Sequence, residues 1–363
     1  MTIFKRSAIP VFLDTKPRTT RYQAKDLKGQ LCTIPWNSIN IGLNGDVFLC
    51  QCEAWMPSTV GNIWDDDLPT ILSNAYSQRI RQSIVDGDYQ YCNESVCNIL
   101  ITDQLTTVDS VYPEYLRELM QDGRQWRMPT NIMLALDSTC NLSCPSCRTQ
   151  VVKKDDEDEE RIRYVSDTLR KNLFSTPTKE QINLTVSTSG ELFASSVLMN
   201  MVNEIDLNII PNLKLQIQTN GLLIPDRWHR IAAKHHCIST ITVTVDAASG
   251  DTYELIRRGG RWPDMIRALE FVAEQRALLG FELKLRMVIQ QRNYREAAAF
   301  YQLAQQYGAD LVEYTRLTDW HTWSPDEFRK HDVLDPEHPE EFRARQILAR
   351  CVNQPRTWHN FLL

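Results

Sequence analysis

From residue 131 to residue 316 the sequence changes hydrophobic period again and again, and that alternation limits the chain to few architectures. Short apolar runs typical of strands are IMLALDS, INLTVST, LKLQIQT, STITVTVDA, ELKLRMVIQ and DLVEYTRL. Between them lie runs of helical period: RIRYVSDTLRKNLF, ASSVLMNMVNEI, DRWHRIAAKHH, MIRALEFVAEQRALL and REAAAFYQLAQQY. Six strands alternating with helices predict parallel strands joined by right-handed crossovers, hence an α/β open sheet or barrel. Chemistry in such folds collects at the carboxyl ends of the strands. Five stretches stand at or near such ends: the CNLSCPSC run, SGE, TNG, DAASG and QRN.

Residues 1–129 read differently. A short strand pair, SINIGLN and DVFLCQC, is turned at Asn44-Gly45-Asp46, and helical stretches follow around 68–86. Asn-Gly is a strong hairpin signal, and Gly61-Asn62 is expected to turn the chain toward a helix. Asp155 to Glu160 is an acidic run, read as a solvated loop leading to a helix start that negative charge favours. After residue 317 the pattern weakens into Trp, Pro, His and Glu. The expected organisation is a small α+β unit over 1–129, the alternating unit over 130–317, and a tail over 318–363 that packs on one or the other.

A net charge of −6 argues against a general attraction to nucleic acid. No apolar run is long enough to cross a bilayer, so no membrane partner is expected. The opening MTIFKRSAIPVFLD, interrupted by Pro10, has too short an apolar stretch for a signal peptide, and a cytoplasmic location is expected. Ten cysteines in such a chain point to metal or redox chemistry rather than disulfides. Eight of the ten lie between Cys32 and Cys147, with only Cys237 and Cys351 beyond.

Cys140, Cys144 and Cys147 form C-x3-C-x2-C directly after the strand IMLALDS. One loop with these spacings can wrap three irons of a [4Fe-4S] cubane with thiolates and leave the fourth open. An open iron is available to chelate the amino and carboxylate groups of S-adenosylmethionine (SAM), so that an electron can enter its sulfonium C–S bond. Zinc is the structural alternative, but it takes four ligands and no fourth follows nearby.

These residues resemble the radical SAM superfamily, whose cluster motif has the same spacing after the first strand of a partial (β/α)6 barrel. The resemblance spans roughly residues 131–316. Val186-Ser187-Thr188-Ser189-Gly190-Glu191 is similar to the family's glycine-rich GGE-type motif, with Ser189 in place of the first glycine. The resemblance implies that Ser189, Gly190 and Glu191 flank the SAM amino group. Thr219-Asn220-Gly221 ends the third strand, and the stretch from Val245 through Tyr253 to Ile256-Arg257-Arg258-Gly259-Gly260 resembles the family's fourth strand and following helix. By that match Asp246 is expected at the SAM ribose or the substrate, and Asn293 on the SAM side of the pocket. The residue before the last cluster cysteine is often aromatic in the family; here it is Ser146.

Cys32 and Cys50 stand in a C-x12-G-x4-C arrangement around Gly45, and Cys92 and Cys97 follow. This resembles the SPASM or twitch auxiliary-cluster module. The resemblance implies a second [4Fe-4S] cluster on Cys32, Cys50, Cys92 and Cys97, with Cys52 as a spare ligand; zinc on the same four thiolates is the alternative. The module usually follows the barrel. Here it comes first, and Cys351 with Trp358 stand where such modules normally begin, so a rearranged chain is expected to bring it to the same barrel mouth.

The resemblance implies reductive cleavage of SAM and hydrogen abstraction from an unactivated carbon. A fully ligated auxiliary cluster favours an oxidative outcome, and a peptide or protein is the expected substrate. A dehydrogenase acting on a carbohydrate or other small molecule shares every motif, and a non-catalytic iron-sulfur electron carrier is the third reading. The electron would come from a low-potential donor such as flavodoxin or ferredoxin. Trp320, His321 and Trp323 are read as tail anchors or as the lining of a substrate mouth. Cys237 is expected to be buried, Cys351 is a remote candidate hydrogen donor, and His235 and His236 are read as helix caps. No catalytic base is legible.

Overall fold

The computed structural model describes residues 27–94, 96–107, 129–153, 156–186 and 189–362. Ser187, Thr188, Asp155 and the segment MTIFKRSAIPVFLD, which enter the expectations above, lie outside the described residues.

The apolar runs become strands β6 (Asn131–Leu134), β7 (Ile182–Val186), β8 (Leu213–Thr219), β9 (Ile238–Thr244), β10 (Glu282–Ile289) and β11 (Leu311–Arg316). They pair in parallel in their order along the chain, which is the partial (β/α)6 arrangement. Earlier in the chain come β1 (Gln30–Leu31), β2 (Ser38–Ile41), β3 (Asp46–Phe48), β4 (Thr59–Asn62) and β5 (Thr106–Thr107), and the last strand is β12 (Thr357–His359). The small unit does not form its own large sheet. β2 runs parallel to β6, β3 and β4 continue antiparallel, and β12 adds in parallel to β11, giving one ten-stranded sheet in the order β12-β11-β10-β9-β8-β7-β6-β2-β3-β4. β1 and β5 form a separate antiparallel pair.

Side chains alternate across this sheet as the period of two requires. Leu213, Leu215 and Ile217 of β8 and Leu283, Leu285, Met287 and Ile289 of β10 are buried in the core that also takes in residues of the crossover helices Asp156–Leu173, Ser196–Glu204, Trp262–Leu279 and Ala297–Gln306. The other face is polar. Thr185 bonds Gln216 at 3.1 Å, and Arg286 bonds Gln218 at 3.2 Å and Glu313 at 2.7 Å. A parallel sheet packed on both faces is apolar on both; this one presents a hydrogen-bonded polar row opposite its helix-covered face.

Two local expectations change. The run DRWHRIAAKHH is one turn of helix, Ile224–Arg227, followed by the 3-10 segment Trp228–Cys237 with a break at Ile231. His235 bonds the Trp228 carbonyl at 3.1 Å and stacks on its ring, so it fastens the kink rather than capping a regular helix. Gly61 and Asn62 lie in β4, paired with Val47 and Asp46, and the missing Cβ of Gly61 admits Ile71 of the helix Leu68–Ser73; the turn comes after them, tied by the Asn62 side chain to Asn44, Asp46 and Trp64. No described helix is long and apolar enough to cross a membrane.

The hairpin turn holds the small unit to the first crossover helix. Trp64 stacks on Tyr164 at 4.4 Å and Arg161 bonds Asn44 at 3.2 Å. Gly45 sits there at φ +80°, and a Cβ would fall 2.9 Å from Ile63 and Trp64. Replacing Gly45 with Ala therefore combines left-handed strain with overpacking and should cost about 3 kcal/mol, read as a lower urea midpoint with an unchanged slope.

Candidate functional site

All six crossover strands run the same way, so their carboxyl-end loops share one edge of the sheet. The cysteine loop follows β6. Cys140 and Cys144 are buried and Cys147 is exposed. Each sulfur has its own positive or N–H neighbour. Leu142 N–H donates to Cys140 Sγ at 3.4 Å and Asn220 Nδ2 at 3.7 Å. Arg148 Nη2 donates to Cys147 Sγ at 3.4 Å. Burial pushes the Cys140 and Cys144 thiols up, while the Arg257 guanidinium pulls both back toward ionisation. The loop is pinned by Arg258, which bonds Ser143 and the Thr149 carbonyl, and by Thr322, whose hydroxyl donates to the Pro145 carbonyl at 2.8 Å.

The loop after β7 lies directly against it. A Cβ on Gly190 would stand 2.3 Å from the Asp137 carbonyl oxygen and 2.7 Å from that of Thr139, so only glycine lets the two backbones meet. Ser189, where the family pattern has glycine, turns its hydroxyl to the Asp137 carbonyl at 3.1 Å and offers its own carbonyl to Arg148 at 2.9 Å. Glu191 is 1% exposed. Its carboxylate accepts from Thr219 Oγ1 at 2.8 and 2.9 Å, from Asn220 N at 2.7 Å and from Phe193 N at 3.2 Å. Burial pushes this carboxyl up, against those bonds. Glu191 thus clamps the β7 and β8 loops together, and its oxygens are spent on the protein.

Asp246 and Asn293 form a second buried clamp. Asp246 adopts φ +65°. It accepts from Val288 N at 2.7 Å and from Arg257 Nη1 at 3.1 Å. Asn293 donates to the Asp246 carbonyl at 2.9 Å and the Val288 carbonyl at 2.8 Å. Burial pushes the Asp246 carboxyl up, with Arg257 opposing. Arg257, Arg148 and Asn220 are site residues that the motif spacings alone do not mark. Arg148 carried a signal in its position beside Cys147; Arg257 and Asn220 needed the tertiary contacts to the cysteine loop.

The second cysteine set is gathered too. Cys97 acts electrostatically on Cys32, Cys50, Cys52 and Cys92. Burial pushes the Cys32 thiol up to about 11 and the Cys50 thiol up to about 12, and raises Cys92, Cys52 and Cys97 as well. Buried thiols this close ionise together only around bound positive charge, which suits a metal-sulfur group. Among the described residues no group of three or more His, Cys, Asp or Glu is drawn around a point where a metal ion fits. What marks both cysteine sets is their chemistry and position rather than a preformed cage for an ion.

Strand direction separates the two sets. Cys32 precedes β2 and Cys50 follows β3, at the end of the hairpin away from its turn. The triplet follows β6 at the end beside that turn, since β2 and β6 are parallel. β2 enters the sheet in parallel, so its hairpin opens toward the amino ends of the crossover strands, while Glu53, next to Cys52, reaches back to Gly42 at the turn. In the tail, Trp323 stacks on His331 and so anchors, whereas Trp320 is exposed on the segment that Thr322 ties to the cysteine loop. Cys237 and Cys351 are buried in the core.

Residues 32–98 match the SPASM domain, an iron-sulfur cluster-binding domain, and the span contains all five cysteines of the second set. No curated protein matches the chain. Among solved structures the chain is similar to Streptococcus suis SuiB bound to precursor peptide SuiA, at 12% identity over 68% of this chain and 52% of that one, with a TM-score of 0.44. It is also similar to anSMEcpe with bound AdoMet, at 19% identity over 52% and 51% with a TM-score of 0.37. A radical SAM methyltransferase from Sphaerobacter thermophilus overlaps at 14% identity over 61% and 63%, with a TM-score of 0.39. The chain spans about half the length of SuiB and anSMEcpe. None of the three reaches a TM-score of 0.5, and the fold rests on the strand order above.

Gly190→Ala should force the loops after β6 and β7 apart and cost at least about 3 kcal/mol of stability, measured by urea denaturation. An unchanged midpoint would show that the close backbone approach is not needed.

Proposed function

We propose that the chain is a radical SAM enzyme that oxidatively modifies a peptide or protein at an unactivated C–H position. The observation that carries this reading is the loop from Cys140 to Cys147: three thiols at the carboxyl end of the first of six parallel strands, each beside a cation or N–H donor, in a chain that also contains a matched iron-sulfur domain. When bound, a [4Fe-4S] cluster on these thiolates supplies the electron that splits SAM, and the 5'-deoxyadenosyl group so released abstracts hydrogen from the substrate.

The chain's own residues have distinct tasks in this reading. Cys140, Cys144 and Cys147 hold the cluster and leave one iron free, because the loop offers three thiols. Ser189 and Gly190 bring the β7 backbone against the cluster loop, where the amino-acid end of SAM is to lie. Glu191, Asp246 and Asn293 act as positioning residues, since their polar atoms bond neighbouring loops and Arg257. The polar row of Thr185, Gln216, Gln218, Arg286 and Glu313 offers donors and acceptors suited to a peptide backbone. Trp320 stands exposed near the cluster loop as a candidate substrate contact.

Cys32, Cys50, Cys92 and Cys97 hold a second [4Fe-4S] cluster, with Cys52 in reach as a substitute. A cluster on these thiolates would accept an electron from the substrate, which would make the net reaction oxidative. The reducing electron comes from a low-potential flavodoxin or ferredoxin.

Anaerobic reconstitution should load about seven to eight irons per chain; four or fewer would remove the second cluster. Cys144→Ala should abolish 5'-deoxyadenosine formation from SAM under dithionite, followed by chromatography. Persistence of that product in the variant would overturn the assignment.

A further inference from the structure

Cys147, the exposed member of the triplet, accepts from a side chain that bonds three partners at once. Arg148 is half-buried, and its guanidinium makes three bonds at once: Nη1 to the Ser138 carbonyl at 2.6 Å, Nη2 to the Ser189 carbonyl at 2.9 Å, and Nη2 to Cys147 Sγ at 3.4 Å. Those partners come from the start of the cysteine loop, from the neighbouring β7 loop, and from the last cysteine. The planar fork of arginine reaches all three in a fixed geometry; a lysine ammonium on its flexible stem is a single point that cannot.

We infer that Arg148 sets the reduction potential of the cluster held by Cys140, Cys144 and Cys147, through the charge-assisted N–H···S bond to Cys147. The inference rests on the reading of that loop as a [4Fe-4S] site. Reduction adds one electron, taken from a flavodoxin- or ferredoxin-class donor, to the [4Fe-4S]2+ state and yields [4Fe-4S]+; no bond is made or broken and no proton moves. The added negative charge spreads onto the cysteine sulfurs, where a neighbouring cation and an N–H donor stabilise the reduced form more than the oxidised one. Arg148 therefore raises the potential and makes the cluster easier to reduce. Two buried carboxyls oppose it: Glu191 acts against the Cys140 thiolate and Asp246 against that of Cys144. Arg257 offsets both and Arg148 the first, and Arg148 also donates to the exposed Cys147. Because the same guanidinium holds the Ser189 carbonyl, the potential is coupled to the seating of the β7 loop.

The test compares reconstituted full-length wild type, Arg148→Gln and Arg148→Lys by EPR-monitored dithionite titration, following the reduced-cluster signal that changes when SAM is added. The glutamine variant should be about tenfold less reduced at a given poise, a downward shift of about 59 mV for one electron, and the lysine variant about threefold less. Equal potentials in wild type and the glutamine variant overturn the inference while leaving the cluster assignment intact. If the glutamine variant fails to load iron, an unchanged potential in the lysine variant overturns it instead. A wild type with no SAM-sensitive signal overturns the cluster assignment and the inference with it.

Discussion

The site depends on two backbones touching. Residue 190 passes so close to the carbonyls of Asp137 and Thr139 that no side chain fits between them, and Glu191 N–H closes the contact by donating to Thr139 at 2.9 Å. That junction brings the β7 loop onto the cysteine loop, and everything else at this edge is built outward from it. Arg148 spans the seam, Glu191 carries it on to Thr219 and Asn220, and Asn220 returns to Cys140 and Asn141. Three successive loops are thereby locked into one body before any cofactor is considered. Preorganisation of this kind lowers the cost of assembling a reactive centre, since the ordering is done during folding.

Buried charge is placed in the same economical way. Asp246 and Arg257 pair with side chains 3% and 13% exposed, and removing either partner would strand the other at a typical cost of about 3–5 kcal/mol. Such a pair is poor stabilisation for its desolvation cost. It does fix direction: Asp246, in a backbone conformation that non-glycine residues seldom take, aims at β10, and Arg257 reaches back toward Cys144. The strain and the buried charge converge at the edge where the thiols gather, as expected of a region shaped by function.

The amino-terminal unit is joined to the alternating unit by a continuous ladder. β2 beside β6 makes the SPASM-matching span part of the same sheet as the cysteine triplet, so the two cysteine sets share one frame. The stack of Trp64 on Tyr164 and the Arg161–Asn44 bond secure the hairpin turn to the first crossover helix.

Much of this was legible in one dimension. The period-two and period-3.6 runs determined six parallel strands and their crossovers, because burying one face of each element leaves few alternatives. The cysteine spacings determined which thiols share a loop, since spacing within a loop is a local property. Asn44-Gly45 determined the hairpin, as a positive φ needs a residue that tolerates it. Only the tertiary structure decided that β2 joins β6 in parallel, because strand pairing across 93 residues leaves no local mark. It alone decided that Glu191, Asp246 and Asn293 spend their polar atoms holding loops together, and that Arg148 and Arg257 supply the charge beside the thiols. A side chain's role in a buried network is set by which loops meet it, and those meetings are long-range.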